Sequence, residues 1–293
     1  MKRITFAIAA IACGASTSVL AWGGQGHRLV GLIAADRLTP IARQNVEWLL
    51  DGQSLADVAS WADSVTNDQQ QTSLWHYLNI PPDAAGYDRD RDCPRQPGAA
   101  IGSRGDRWRD CAVDRIAYWE ERLKDTSLDR ADRATALKFL VHFIGDLHQP
   151  FHALGVGRGG NDVHVRVFGE SNCGPAKPVA PATAAPKPVP CNLHSVWDSR
   201  LIGHRHIDDR EYFAALQKLI ISRQWRARPV GTAPQWAEQS WRLAKEALVS
   251  PGTNIDEGYY RRHISVIDER MALAGLRLAA VLNRVLVTPI AKQ

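Results

Sequence analysis

Apolar residues recur at helical spacing over most of the chain, and period-two alternation occurs clearly in one place. Stretches with the i, i+3, i+4 pattern run from Arg28 to Leu38 and from Pro40 to Leu50, with Thr39 as cap and Pro40 in the first turn of the second. Ser54-Leu-Ala-Asp57 reads as a capping-box-like start leading toward Trp61 and Asp63. Further helical patterns cover about 113–124, 131–148, 209–224, 234–248 and 257–286, with Pro150 re-aiming the chain after the segment that ends near 148. The alternating exception is Val163-His-Val-Arg-Val-Phe168, which follows a Gly159-Gly160-Asn161-Asp162 turn and is expected to form part of a small β-hairpin. The stretch from Gly174 to Pro190, rich in Pro and Ala, is expected to be a loop without a core of its own. The pattern thus predicts a mainly α fold with a small hairpin.

The beginning of the chain has a different pattern. Lys2 and Arg3 precede an apolar run from Phe6 to about Leu20, and Val19-Leu20-Ala21 offers small residues for cleavage. Residues 1–21 are therefore expected to be an export signal, leaving Trp22 as the mature terminus and 22–293 as one catalytic domain, secreted or periplasmic. No later stretch approaches the roughly 20 uninterrupted apolar residues of a membrane span, so no membrane partner is expected, and a monomer is anticipated.

Charge excludes little. Loss of residues 1–21 removes Lys2 and Arg3 and no acid from a chain whose formal net charge is +5, so the remainder is mildly basic. That balance tolerates an anionic substrate without by itself indicating a nucleic-acid binder. Four cysteines remain, Cys93, Cys111, Cys173 and Cys191, an even number suited to an oxidising compartment. Three pairings are possible; the sequential one, closing two modest loops at 93–111 and 173–191, is expected.

Candidate chemistry is concentrated in two short segments. His142-Phe-Ile-Gly-Asp146-Leu-His-Gln-Pro-Phe-His152 and His194-Ser-Val-Trp-Asp198 each place a histidine four residues before an aspartate, so that on a helix both side chains face the same way. Imidazole with carboxylate suits zinc, whereas calcium and magnesium sites are built from oxygen. His148, six residues from His142, faces elsewhere and is read as structural. Arg104, Arg107, Trp108 and Arg109 could line a nucleic-acid path or belong to an ordinary solvated loop.

With Trp22-Gly-Gly-Gln-Gly-His27, Trp61-Ala-Asp63 and Trp75-His76-Tyr77 added, the set resembles the zinc-dependent single-strand nucleases and 3'-nucleotidases. These share a helical fold with zinc phospholipase C. The resemblance implies three zinc ions per chain. One would be held by Asp63, His76, His142 and Asp146, a second by Asp146, His27 and the amine and carbonyl of Trp22, and a third by His152, His194 and Asp198. It also implies catalytic roles for Asp63 and Asp146 and hydrolysis of P–O3' bonds of single-stranded DNA and RNA to 5'-phosphate products. Removal of 3'-phosphates from 3'-nucleotides is implied as well. Tyr77 would stack on a base, with Asn79, Gly159 and Asn161 at the base edge. Where the family often carries a basic residue three after the first aspartate, this chain has Thr66, and Asn79 stands where an acid is common. The rival implied by the same fold is a zinc-dependent phospholipase C.

Overall fold

The computed structural model describes residues 22–177, 187–225 and 231–289. The export-signal and cleavage readings on residues 1–21 lie outside the described residues. Eight helices of eight or more residues dominate: α1 (Gly24–Asp36), α2 (Pro40–Leu49), α3 (Trp61–Asp68), α4 (Ala112–Lys124), α5 (Arg130–Asp146), α6 (Asp209–Ser222), α7 (Ala233–Ala247) and α8 (Glu257–Val285). Most begin where a short polar side chain can take up a free backbone N–H. Thr39, Asp129, Asp208 and Asp256 each accept from an amide three residues on, and Thr232 forms a capping box with Gln235.

At the centre lies α5. From Ala136 onward almost every side chain on it is buried, around the whole circumference, because α1, α4 and α8 surround it. Phe139 stacks on Trp119 of α4 and meets Trp61 and Trp75 edge-on, so an aromatic cluster fixes the α5 face that precedes His142. On the opposite side α1 comes so close to α5 that a Cβ on Gly145 would lie 2.8 Å from His27 Nδ1. Glycine at that position lets the two helices place His27 beside Asp146.

Strands are few. β1 (Arg166–Val167) pairs in parallel with β4 (Asn254–Ile255), and β2 (Asn172–Lys177) pairs antiparallel with β3 (Lys187–Pro190). The small hairpin is therefore not the one anticipated. The alternating segment is extended, but its two edges find distant partners: Val165 N–H donates to Cys191 O and Leu193 N–H to Val163 O, while Arg166 and Phe168 donate to Thr253 and Ile255. The hairpin instead lies within the Pro- and Ala-rich segment read as a loop. Proline lacks only the donor, so it can occupy a ribbon whose outer face needs no partner.

Two other readings shift. Ser54 and Asp57 do cap each other reciprocally, yet residues 55–60 are turns packed onto Gly31, and the helix starts only at Trp61. Both disulfides form in sequential order, Cys93 with Cys111 and Cys173 with Cys191. Among the described residues no helix is long and apolar enough to cross a membrane.

Candidate metal centre and cleft

His142 and Asp146, one turn apart near the end of α5, are fully buried. Burying imidazole and carboxylate without water is costly unless each finds partners. Three segments supply them. The first turn of α3 brings Asp63, the last residue of the 3-10 segment Gln70–His76 brings His76, and α1 brings His27. His142 Nε2 lies 3.4 Å from Asp63 Oδ1 and 3.2 Å from Asp146 Oδ2; His76 Nδ1 is 3.0 Å from Asp146 Oδ2; His27 Nε2 is 3.2 Å from Asp146 Oδ1. The His27 and His142 rings stack at 4.1 Å. Trp22 is buried beside this group, its ring 3.9 Å from where a Gly145 Cβ would stand.

A second group forms just beyond. After Pro150 a single 3-10 turn presents His152, and an irregular helical stretch, with a π-type turn at Val196–Arg200, carries His194 and Asp198. His194 Nε2 is 3.4 Å from Asp198 Oδ2 and His152 Nε2 is 4.0 Å from Asp198 Oδ1.

Backbone carbonyls fix which nitrogen of each ring is available. A carbonyl cannot donate, so His142 Nδ1–H donates to Ala59 O (2.7 Å), His152 Nδ1–H to His76 O (2.8 Å) and His194 Nδ1–H to Gly159 O (2.6 Å). Each Nε2 then faces a carboxylate. Two polar side chains complete the support. Gln149 Nε2 donates to Asp198 Oδ1 at 2.6 Å while its own oxygen accepts from Phe151 N–H, and Thr66 Oγ1 lies 3.2 Å from His76 Nε2 and from Thr72 Oγ1. Neither role was legible from spacing. For Gln149, between Asp146 and His152, proximity to candidate ligands was the only signal, and Thr66 stood out only as a departure from the basic residue common three after the first aspartate.

The two groups differ electrostatically. Burial alone would lower the His142 pKa, but the Asp146 and Asp63 carboxylates raise it well above the usual imidazole value. Burial would likewise raise Asp146, yet His142, His27 and His76 hold it well below the usual carboxylate range. In the second group burial wins. Asp198 is pushed well up, with Asp146 adding repulsion against the bond from Gln149, and His194 is pushed down to about 3 by burial and then His152.

These residues fit a metal centre on one observation in particular. His27 Nδ1, Asp63 Oδ2, His152 Nε2 and Asp198 Oδ2 are buried with no hydrogen-bond partner. Buried polar atoms are rarely left so, and here they converge as nitrogen and oxygen donors in the proportion suited to zinc. The ligand atoms of three trios, His27–Asp63–His142, His76–His142–Asp146 and His152–His194–Asp198, lie within 4.8 Å of one another. Cys93, Cys111 and Asp114 also cluster, but the two sulfurs are consumed in a disulfide.

Above the centre opens a cleft of about 460 Å³, lined by Asp63, Thr66, His76, His152 and His194 at its base, with Tyr77, Asn79, Arg158, Gly159 and Asn161 along its sides. Tyr77 is half-buried and Asn79 exposed. Segment 77–80 is tied to the chain after His152 by Leu78 N–H to His152 O and Ile80 N–H to Ala153 O. Gly159 needs to be glycine, since its φ is +64° and a Cβ would meet Phe151 O at 2.5 Å. All thirteen sequence candidates for metal and substrate thus lie at this centre or its cleft, Trp22 and His27 deepest. His148 stays apart as read: its Nδ1–H donates to Ile144 O, and Nε2 accepts from Arg277. The arginines of the 93–111 loop do not line the cleft. Arg109 is buried and paired with Asp90 and Asp106, and Arg107 pairs with Glu121.

Comparison with known proteins gives this arrangement a family. The family model described as S1/P1 Nuclease matches residues 22–287. The chain belongs to the S1/P1 nuclease family. It is 30% identical to Nuclease P1 of Penicillium citrinum over 92% of this chain and 100% of that protein. It is 27% identical to Nuclease S1 of Aspergillus oryzae, covering 92% of this chain and 93% of the relative. Endonuclease 2 of Arabidopsis thaliana is 27% identical, with 92% of each chain covered. This S1/P1-family chain is accordingly a nuclease, a hydrolase of phosphodiesters. Its mainly α architecture, short strands and paired cysteines accord with that membership.

Proposed function

We propose that this S1/P1-family chain is a zinc-dependent endonuclease of single-stranded DNA and RNA. In this reading it cleaves P–O3' bonds to leave 5'-phosphates and also removes the phosphate of 3'-nucleotides. The observation that carries the reading is the convergence of unpartnered buried donors beneath an open cleft whose side wall presents a half-buried tyrosine. Asp63, His76, His142 and Asp146 would hold one zinc; Asp146, His27 and the amine and carbonyl of Trp22 a second; His152, His194 and Asp198 a third. Bound zinc supplies the positive charge that phosphate oxygens need and a nucleophile at mild pH.

The chain's own groups do the rest. Asp63 and Asp146 hold negative charge against the centre, and the carbonyls of Ala59, His76 and Gly159 hold the ligand rings in one tautomer. Tyr77 offers a ring face to a base. Burial raises its hydroxyl pKa, so it stays protonated and can donate. A duplex base already spends both faces on its neighbours, so stacking here selects unpaired strands. Asn79, Asn161 and the Gly159 backbone lie where base edges would fall.

Residues 22–293 are assigned as one catalytic domain, acting as a monomer, with 1–21 as an export signal whose removal frees the Trp22 amine. The two disulfides favour an exported protein. The deciding experiment incubates the exported protein with heat-denatured DNA, duplex DNA and phosphatidylcholine. Acid-soluble 5'-nucleotides from denatured DNA, abolished by chelation and restored by zinc, are expected; phosphocholine release instead would establish the phospholipase alternative. N-terminal sequencing of the same sample should read Trp-Gly-Gly-Gln.

A further inference from the structure

Among the described residues lining the cleft, Arg158 is the one arginine or lysine. Its backbone is in the left-handed region, with φ +50° and ψ 54°, where residues bearing a Cβ are seldom found. The surrounding turn holds it there. Gly157, Gly159 and Gly160 also have positive φ, Gly160 N–H donates to Val156 O, Asp162 N–H to Gly157 O, and Asn161 Nδ2 to Arg158 O. The next residue, Gly159, accepts the hydrogen bond that orients His194. One hydrogen-bonded turn therefore orients a candidate ligand and carries a guanidinium at the rim. The guanidinium is 78% exposed and grips Asp162 through Nε and Nη2 at 2.7 to 3.1 Å, and its charge reaches the Tyr77 hydroxyl. As an exposed i, i+4 pair this contact stabilises little. A left-handed arginine inside the cleft is not needed for it.

We propose that Arg158 is the phosphate-positioning residue of this nuclease, turning its fork from Asp162 to the phosphodiester adjacent to the one that is cut. The proposal rests on the nuclease reading above. A guanidinium matches two phosphate oxygens at once, as it already matches the Asp162 carboxylate. The reacting phosphate is served by the metal centre, whereas among the described lining residues a neighbouring phosphate has Arg158 alone as a counter-charge. Its contribution should therefore appear on polymers and vanish on a substrate with a single phosphate.

The test uses the full exported protein, wild type, Arg158→Gln, Arg158→Lys and Asp162→Asn, with oligothymidylate and a 3'-mononucleotide as substrates across a range of salt. For Arg158→Gln, KM on the oligonucleotide should rise roughly tenfold, kcat should stay within about twofold, and the log–log salt slope should become shallower by about 0.7. Mononucleotide kinetics should not change. Arg158→Lys should restore the slope but not all of KM, and Asp162→Asn should lower KM on the oligonucleotide. Anisotropy of a labelled oligothymidylate in chelator should show the same slope change without turnover. An active wild type whose oligonucleotide KM and slope survive Arg158→Gln overturns this inference alone. Equal losses on both substrates also overturn it, since Arg158 would then only hold the turn beneath His194. A wild type inactive on both substrates overturns the nuclease reading and this inference with it.

Discussion

The two donor groups of the centre are built in opposite ways. His27, His142 and Asp146 come from long helices that also build the core, joined by Asp63 from the short α3 and His76 from the end of a 3-10 segment, and opposite charges there already face each other: His142 is inclined to hold a proton and Asp146 to lose one. His152, His194 and Asp198 come from short turns, one 3-10, one α-helical and one π-type, and burial there drives every group toward its neutral form. Helix packing thus delivers an internally balanced group of opposite charges. The irregular turns deliver a group starved of charge, whose geometry depends on a few hydrogen bonds.

The largest test of that contrast is Asp146→Asn. This side chain touches His27, His76 and His142, and its charge is felt at Asp198. Its loss should cut kcat on denatured DNA by at least about a hundredfold, the upper end of the effect of removing an orienting partner, let alone a ligand. Zinc content should fall by more than one ion per chain. A variant that kept its activity would show that the balanced group is an ordinary buried ion-pair network.

Next comes Gln149→Ala, aimed at the other group. Without the bond from Gln149 Nε2, Asp198 loses the amide donor to its Oδ1, and one zinc should bind roughly 10- to 100-fold more weakly, with the remaining ions unaffected. Competition with a graded chelator reads this directly. Uniform weakening of all ions would mean that the two groups do not act separately.

How much of this was legible from sequence follows the same division. The helices that build the core announced themselves by period, to within a few residues at each end: Arg130–Asp146 against an expected 131–148, and Glu257–Val285 against 257–286. The four-residue spacings placed the aspartate and histidine of each pair on one face, because a helical turn carries that information locally. The hairpin was misplaced because alternation shows that a segment is extended and says nothing of its partner, and Val163–Phe168 bonds to residues 191–193 on one edge and 253–255 on the other. Gln149, Thr66 and Arg158 escaped for a related reason. Their roles depend on long-range closure and, for Arg158, on a backbone angle that no single residue type specifies.

A smaller effect separates His148 from the ligands on either side of it. Burial, then repulsion from Arg270 and Arg277, keeps its pKa well below the ordinary value of 6.5, against the bond to Ile144 O. The unfolded chain takes up a proton near 6.5 that the folded chain refuses. Stability from this residue is therefore complete above about pH 6.5 and falls below it, by at most about 1.4 kcal/mol per pH unit. His148→Gln can keep both hydrogen bonds without titrating. In chelator, its melting temperature should approach that of the wild type as pH falls from 7 to 5; parallel curves would place the acid sensitivity in the ligand groups instead.

The smallest change expected is at Thr66, where the balanced group meets the cleft. Its hydroxyl faces His76 Nε2 on one side and Thr72 on the other, which leaves His76 Nδ1 directed at Asp146. Thr66→Val keeps the shape and removes, along with the contact to Thr72, the neutral hydrogen bond to His76, a contribution of about 1 kcal/mol. That corresponds to a roughly fivefold loss of affinity for one zinc, with KM on oligothymidylate unchanged. If KM rose and zinc affinity held, Thr66 would be contacting substrate directly. The cleft would then have a second phosphate contact beside Arg158, and the balanced group would orient His76 without help from its neighbour.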